Sequence, residues 1–358
     1  MHILGNMPRG TIVRSFLFIL ICLLVASIAT QWYGIYIIQS NKILQRHLRG
    51  LNKVEIGSSS WDFTQCTDSN IINTVIDRTE DLRIFEHLCE RIYKPLNKET
   101  QPELCKSCRY KQPVFMKTKK PFVALASFTG AGNSWTRELL EALTGIYTGS
   151  IYGDPAGDFE GSSRCPHRGG VYIIKTHSTH NLTKMKDCQL IGAHTIDYER
   201  AIHIIRNPYE AILSTFNLIK GKSKTGFADI ETFMSPRWPF YVRRIVNYWA
   251  RMTEYWTQNF TRPTYVLVYE RLKTDTYQEL YKISRFLDLD STYLDLFCAK
   301  NCLKPKYHRV DKPDWMNISI LYDQQLKQAV NTRIFQLANK VKQKSRDLVP
   351  ELKNYIQV

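Results

Sequence analysis

Hydrophobic and polar positions divide the chain into three stretches. From Ser15 to Ile38 no side chain is charged, and Ile, Leu, Phe and Val dominate. As a helix, a run of that length spans the hydrocarbon core of a bilayer. It predicts a transmembrane signal anchor over 15–38, behind a short cytoplasmic tail over 1–14 that carries Arg9 and Arg14. A cleaved signal peptide is the alternative, with Ser27 and Ala29 as small residues before a cut. The apolar character runs on through Tyr33, Ile35 and Ile38, which argues for an uncleaved anchor. Lys42, Arg46, Arg49 and Lys53 follow it, so flanking charge does little to orient the segment. Under either reading the rest of the chain is lumenal.

Residues 39–115 read as a stem. Gly57-Ser-Ser-Ser60 is a flexible stretch, Ile71 to Tyr93 has helical periodicity, and Lys117, Lys119 and Lys120 precede a sharp change. From Pro121 short apolar runs alternate with helical periods. The runs predict strands at Phe122–Phe128, Val171–Lys175, Ala201–Ile205 and Tyr265–Tyr269. The periods predict helices at Asn133–Thr144, Glu210–Ile219 and from the fourth strand through Leu287. Apolar strands alternating with helices predict an α/β domain over 116–358, a parallel sheet flanked by helices. Ligands of such sheets bind beyond the carboxyl ends of the strands. The stretch Trp238, Tyr241, Ile245, Tyr248, Trp249, Met252, Tyr255, Trp256 has helical spacing. Core packing is favoured for it over an acceptor groove.

Composition sharpens this. With 358 residues and 44% hydrophobic content there is material for one large domain plus accessories. A net charge of +16 attracts anions: nucleic acid, membrane surface, acidic glycan or nucleotide phosphate. No RNA-binding aromatic signature, zinc-finger spacing or internal repeat appears, which disfavours nucleic acid. Cys22 lies in the apolar segment. Cys66, Cys89, Cys105, Cys108, Cys165, Cys188, Cys298 and Cys302 remain, an even number that suggests disulfides whose pairing the sequence does not give. Cys105/Cys108 could alternatively be half a zinc site, but no second close pair with histidines at finger spacing accompanies it. Asn181, Asn259 and Asn317 are glycosylation sequons compatible with a lumenal domain.

Candidate chemistry stands just beyond each strand. After the first comes Ser127-Phe-Thr-Gly-Ala-Gly-Asn-Ser-Trp135. Gly130 and Gly132 permit close backbone approach, and Asn133 and Ser134 stand where the helix begins, with unpaired amides suited to phosphate or sulfate. An ordinary glycine turn with a helix cap is the alternative. Lys175-Thr-His177 ends the second strand, and side chains two apart point the same way. Histidine can accept a proton near neutral pH while lysine neutralises developing charge. Arg206-Asn-Pro208 comes after the third strand, with Ser214 beyond it. Arginine can grip a phosphate with two nitrogens, or form a surface salt bridge. Tyr269-Glu-Arg-Leu-Lys-Thr-Asp275 comes after the fourth as a charged loop opening a helix.

In this order the four segments resemble the sulfotransferase family over roughly Pro121 to Leu289. The resemblance implies that Gly132, Asn133 and Ser134 hold the 5′-phosphosulfate of 3′-phosphoadenosine 5′-phosphosulfate. Trp135 would stack on adenine, Arg206 and Ser214 would hold the 3′-phosphate, and Tyr269 would contact the base. His177 would deprotonate the acceptor hydroxyl and Lys175 would steady the transferring group. One position departs from the family: Gly130 stands where a lysine is usual, and Arg137 is a candidate replacement beside a surface role. The loop, with Leu-Thr-Gly-Ile-Tyr-Thr-Gly-Ser-Ile-Tyr-Gly-Asp154 after its helix, is similar to the WSC-domain-containing branch, implicated as sialic-acid O-sulfotransferases. The stem is too short and cysteine-poor for a WSC module.

The expectation is therefore a single-pass type II Golgi membrane enzyme with its catalytic domain in the lumen. It would move a sulfuryl group to a glycan hydroxyl, with an acidic or sialylated acceptor, no metal and no nucleic-acid partner. Sulfuryl transfer needs positioning and positive charge, which lysine, arginine and helix amides can supply. The basic residues Lys304, Lys306, His308 and Arg309 either close over the nucleotide, meet the acceptor or form a solvated loop. A catalytically weak nucleotide-binding glycoprotein receptor is a second reading, motivated by Gly130. A kinase-like phosphotransferase is disfavoured, because the Gly-Lys-Ser/Thr ending and metal-binding carboxylates are missing.

Overall fold

The computed structural model describes residues 55–56, 59–60, 105, 108 and 112–357, apart from 155–158, 222–224, 292, 304–305, 308 and 310–311. The expected tail, the expected anchor and nearly all of the stem, with Cys22, Cys66 and Cys89, lie outside these residues. So do Lys304 and His308. Among the described residues no helix is long and apolar enough to cross a membrane. Glu55–Ile56 and Ser59–Ser60 pair as a small antiparallel ladder, so Ser59 and Ser60 are extended rather than irregular.

The main unit is built on five parallel strands: β1 (Phe122–Ser127), β2 (Gly149–Ser150), β3 (Ile173–Thr176), β4 (Tyr198–Ile205) and β5 (Thr264–Val268), in the order β2-β3-β1-β4-β5. β1 is central. Its residues Val123 to Ser127 are all buried, as a strand covered on both faces must be. Ala124 and Ala126 pack with Ala201, Ile174, Met252 and Trp256 on one face, where small strand residues leave room for an indole.

The helices that matter here are α1 (Asn133–Thr144), α2 (Pro208–Lys220), α3 (Arg237–Glu254), α4 (Tyr269–Thr274), α5 (Thr276–Phe286), α6 (Tyr293–Asn301) and α7 (Gln324–Val341). α1 is bounded by Gly132 and Gly145, both left-handed, with φ of 94° and 67°. Glycine at each end permits those turns at no steric cost. Pro208 and the Asn207 cap, which accepts the Tyr209 amide at 3.0 Å, start α2 two residues earlier than periodicity suggests. Half of the aromatic stretch is core: Trp238, Trp249, Met252 and Trp256 are buried, Tyr241, Ile245, Tyr248 and Tyr255 only partly so. Trp238 and Trp249 of α3 share a cluster with Val242, Val246 and, from α7, Val330, Ile334 and Leu337.

Three expectations need correction. The sheet has five strands, because two-residue β2 at its edge is too short to leave a pattern. The fourth predicted strand stops at Val268, so Tyr269 opens α4. The predicted single helix after it is two, broken at Asp275. The Cys105/Cys108 pair enters disulfides to Cys302 and Cys298, and Cys165 joins Cys188. The first two bonds tie the end of the predicted stem to α6 and the residue just beyond it, and α6 packs on α1.

Candidate active site

The loop from Phe128 to Gly132 joins β1 to α1, and its shape is forced by contact. A Cβ on Gly130 would stand 2.6 Å from the Ala211 carbonyl oxygen and 2.6 Å from Thr215 Oγ1, both in α2. A lysine is therefore excluded there by packing as well as by the φ of 79°. A Cβ on Gly132 would stand 2.4 Å from the ring of Tyr269. Thr136 is the first amide of α1 with a ladder bond, to the Gly132 carbonyl at 3.0 Å. The amides of Asn133, Ser134 and Trp135 precede it at the positive end of the helix. Asn133 turns its Nδ2 back onto the Leu125 carbonyl at 3.2 Å and Ser127 Oγ at 3.1 Å, which fixes the loop to the strand.

β3 delivers Lys175 and His177 to one side of this loop. His177 Nδ1 lies 2.9 Å from the Ser127 carbonyl oxygen. A carbonyl only accepts, so Nδ1 carries the hydrogen and Nε2 keeps its lone pair. Burial, and then the Lys175 ammonium, push His177 down to about 4, so the imidazole is neutral at physiological pH. Its backbone is held on both sides: the His177 amide donates to Tyr152 Oη at 2.8 Å, and the Tyr248 hydroxyl donates to its carbonyl. Lys175 Nζ donates to Asp154 Oδ2 at 2.9 Å. Burial raises the Asp154 carboxyl, but Lys175 outweighs it and leaves Asp154 below the usual carboxylate value.

β4 delivers Arg206 to the other side. Its Nη1 donates to the Gly130 carbonyl at 2.9 Å, and the guanidinium lies over the Tyr269 ring at 4.5 Å. Tyr269 meets Trp135 edge to face, with centroids 5.7 Å apart. Glu270 braces the turn: one carboxylate oxygen accepts the Asn207 amide at 3.0 Å, the other the Tyr355 hydroxyl at 2.8 Å. Ser214 Oγ accepts from Arg309 Nη1 at 2.8 Å. Burial and the nearby charge of Arg206 push the Arg309 guanidinium down. Two neighbouring cations beside a serine hydroxyl can attract a multiply charged anion.

All nine residues expected at the site are brought to this loop or its flanks. Arg309, left open as part of a basic segment, joins Ser214. Ser127, Tyr152, Asp154 and Tyr248 were not expected to contact Lys175 or His177. Of these, Tyr152 and Asp154 lie in the Ile-Tyr-Gly-Asp run that carried the branch resemblance. Arg137 is a correction. It is only 1% exposed, with Nε on Thr148 Oγ1 at 2.6 Å, Nη2 on Ser162 Oγ at 2.6 Å and its guanidinium 3.7 Å over the Phe159 ring. It has no surface role, and these contacts engage it on the side of β2 rather than in the glycine loop.

A family model described as the sulfotransferase domain matches residues 120–306, just over half of the chain. Curated relatives include WSCD family member GA21586 of Drosophila pseudoobscura pseudoobscura, 33% identical over 182 residues, or 49% of this chain and 53% of that protein. WSCD family member CG9164 of Drosophila melanogaster is 32% identical over 183 residues, again 49% and 53%. The chain spans about half the length of these relatives. Among solved structures, mouse sulfotransferase SULT7A1 complexed with PAP overlaps 71% of this chain and 93% of its own, at 18% identity and a TM-score of 0.41.

Proposed function

The chain belongs to the sulfotransferase domain family, and from that premise we propose that it transfers a sulfuryl group from 3′-phosphoadenosine 5′-phosphosulfate to a glycan hydroxyl, with sialic acid a candidate acceptor. One observation carries the reading. His177 Nδ1 and Arg206 Nη1 close from opposite sides on the end of β1 and the glycine loop that follows it, at the Ser127 and Gly130 carbonyls, each at 2.9 Å. A proton acceptor and a phosphate-binding arginine thus flank a helix N-terminus, the arrangement that transfer from a nucleotide sulfate needs.

The amides of Gly132, Asn133 and Ser134 receive the phosphosulfate. Trp135 and Tyr269 flank the base, and Arg206, Ser214 and Arg309 take the 3′-phosphate. His177 Nε2 removes the acceptor proton as the new oxygen–sulfur bond forms. The bond from sulfur to the phosphate oxygen breaks, and the nucleotide leaves as 3′-phosphoadenosine 5′-phosphate. Lys175 opposes the charge on the transferring group and its leaving oxygen. With lysine excluded at Gly130, Arg206 is a cation in direct contact with the loop, on the Gly130 carbonyl. We place the enzyme in the Golgi lumen on a single-pass anchor. Three disulfides in the folded unit support an oxidising compartment, and exposed Asn181 and Asn259 sequons are compatible with it.

Incubation with a radiolabelled sulfate donor and a mixed glycan array tests the proposal, beside calorimetry with 3′-phosphoadenosine 5′-phosphate. Label on a glycan is expected. Tight nucleotide binding with no label on any glycan would favour the receptor reading that Gly130 motivates, and absence of both would end the proposal.

A further inference from the structure

Phe128, His177 and Arg206 are each the first residue beyond its strand, after β1, β3 and β4. At that point the sheet ladder no longer supplies partners, and the backbone carbonyl must find another donor. For two of these exits the donor comes from neighbouring residues of one helix. On α3 the Tyr248 hydroxyl donates to the His177 carbonyl. The next residue, Trp249, donates its indole Nε1 to the Arg206 carbonyl at 3.1 Å. The third exit rests on the same place, with the Phe128 ring 6.1 Å from the Tyr248 ring.

β3 and β4 lie on either side of β1, so their exits are separated by two inter-strand spacings, about 9.5 Å. Consecutive helix residues diverge by about 100° with a rise of only about 1.5 Å, so one short segment of α3 can reach both. Trp249 is 1% exposed, and a buried indole N–H without a partner is costly. α3 is itself fixed in the core through Trp238, Val242 and Val246. One element fixed in the core, outside the loop, therefore holds the carbonyls of both His177 and Arg206.

Resting on the sulfotransfer reading, we propose that Tyr248 and Trp249 are a pair of positioning residues. Tyr248 would act through His177 on the proton-accepting half and Trp249 through Arg206 on the nucleotide half. In-line transfer requires the acceptor oxygen, sulfur and leaving oxygen to align, so the distance between these halves bears directly on rate. The pair would set that distance without touching either substrate.

The test uses Tyr248→Phe and Trp249→Phe in the full chain. It combines calorimetry with 3′-phosphoadenosine 5′-phosphate, steady-state transfer, and NMR titration of carbon-13-labelled histidine. Tyr248→Phe is expected to lower kcat about 10-fold, keep nucleotide affinity to about twofold, and raise the His177 titration point toward that of free histidine. Trp249→Phe is expected to weaken nucleotide binding about 10-fold, keep kcat at saturating donor to about twofold, and leave His177 where it was. Should Trp249→Phe not fold, benzothienylalanine at this position keeps the shape and removes only the N–H. The proposal is overturned if both variants lower both quantities by the same factor, which is plain packing, or if neither moves anything. A wild-type chain that neither binds the nucleotide nor transfers sulfate would defeat the sulfotransfer reading instead. The His177 titration in Tyr248→Phe would then still decide the positioning role of Tyr248.

Discussion

On the β4 side of the loop, Arg309 is half-buried near Arg206, and burial and that neighbouring charge push its guanidinium down. Among the described residues the carboxylate paired with Arg206, Glu210, is 3.6 Å away. On the β3 side the lysine is matched at 2.9 Å by Asp154, and the histidine beside it is neutral. The first half gathers positive charge that a dianion would relieve. The second half is balanced around one lysine and holds a lone pair ready. The difference separates two demands on one cleft: a lasting grip on a phosphate whose charge does not change, and a setting for a group whose charge moves as bonds exchange. Binding and chemistry should therefore separate under mutation.

The strongest way to break that comparison is His177→Ala. Loss of a general base is expected to lower kcat by about 100-fold while nucleotide affinity holds. If affinity falls with turnover, the two halves are not separable and His177 belongs to nucleotide binding. Arg206→Ala should give the mirror image, weakening 3′-phosphoadenosine 5′-phosphate by about 2 kcal/mol in calorimetry, with kcat at saturating donor largely kept. Arg309→Ala should cost about 1.5 kcal/mol in the same assay, the low end for a charged hydrogen bond. In the double variant the two losses should not add, since both arginines would share one phosphate.

The gentlest test is acidity. Burial above all holds His177 at about 4 and His203 at about 3, against 6.5 for the free side chain. Below pH 6.5 the unfolded chain takes up protons at both positions before the fold does. The stability that is complete above that pH is then lost as pH falls toward the folded values. The thermal midpoint is expected to drop between pH 6.5 and 4, and His203→Gln should flatten the drop. The acid limb of kcat/KM should lie well below 6.5, since Nε2 of His177 in the free enzyme stays unprotonated to about pH 4.

Much of this cleft is legible along the chain because each strand is short, apolar and capped at once by its chemistry. Flanking glycines bound the helix Asn133–Thr144 correctly, and Lys175, His177 and Arg206 stand out because each closes a buried apolar run. Contacts between distant segments leave no such trace. Nothing local ties Arg309 to Ser214, 95 residues away, or Lys175 to Asp154 across 21. In sequence Tyr248 is one more core aromatic at helical spacing, and only the fold turns its hydroxyl to His177. Gly130 reads as a lost lysine. The structure gives it a positive reason, because α2 leaves no room for a side chain.

The two bonds from Cys105 to Cys302 and from Cys108 to Cys298 span 197 and 190 positions of sequence. They make the intervening polypeptide, with every strand of the main sheet inside it, a doubly clasped ring. During synthesis neither clasp can close until its distal cysteine has emerged, so nearly the whole nucleotide cleft must be made before it is covalently secured. Once secured, a single backbone cut in a surface loop such as the one around Gly192 frees no fragment. The nicked polypeptide would run as one species on a denaturing gel until a thiol reductant is added, and as two afterwards.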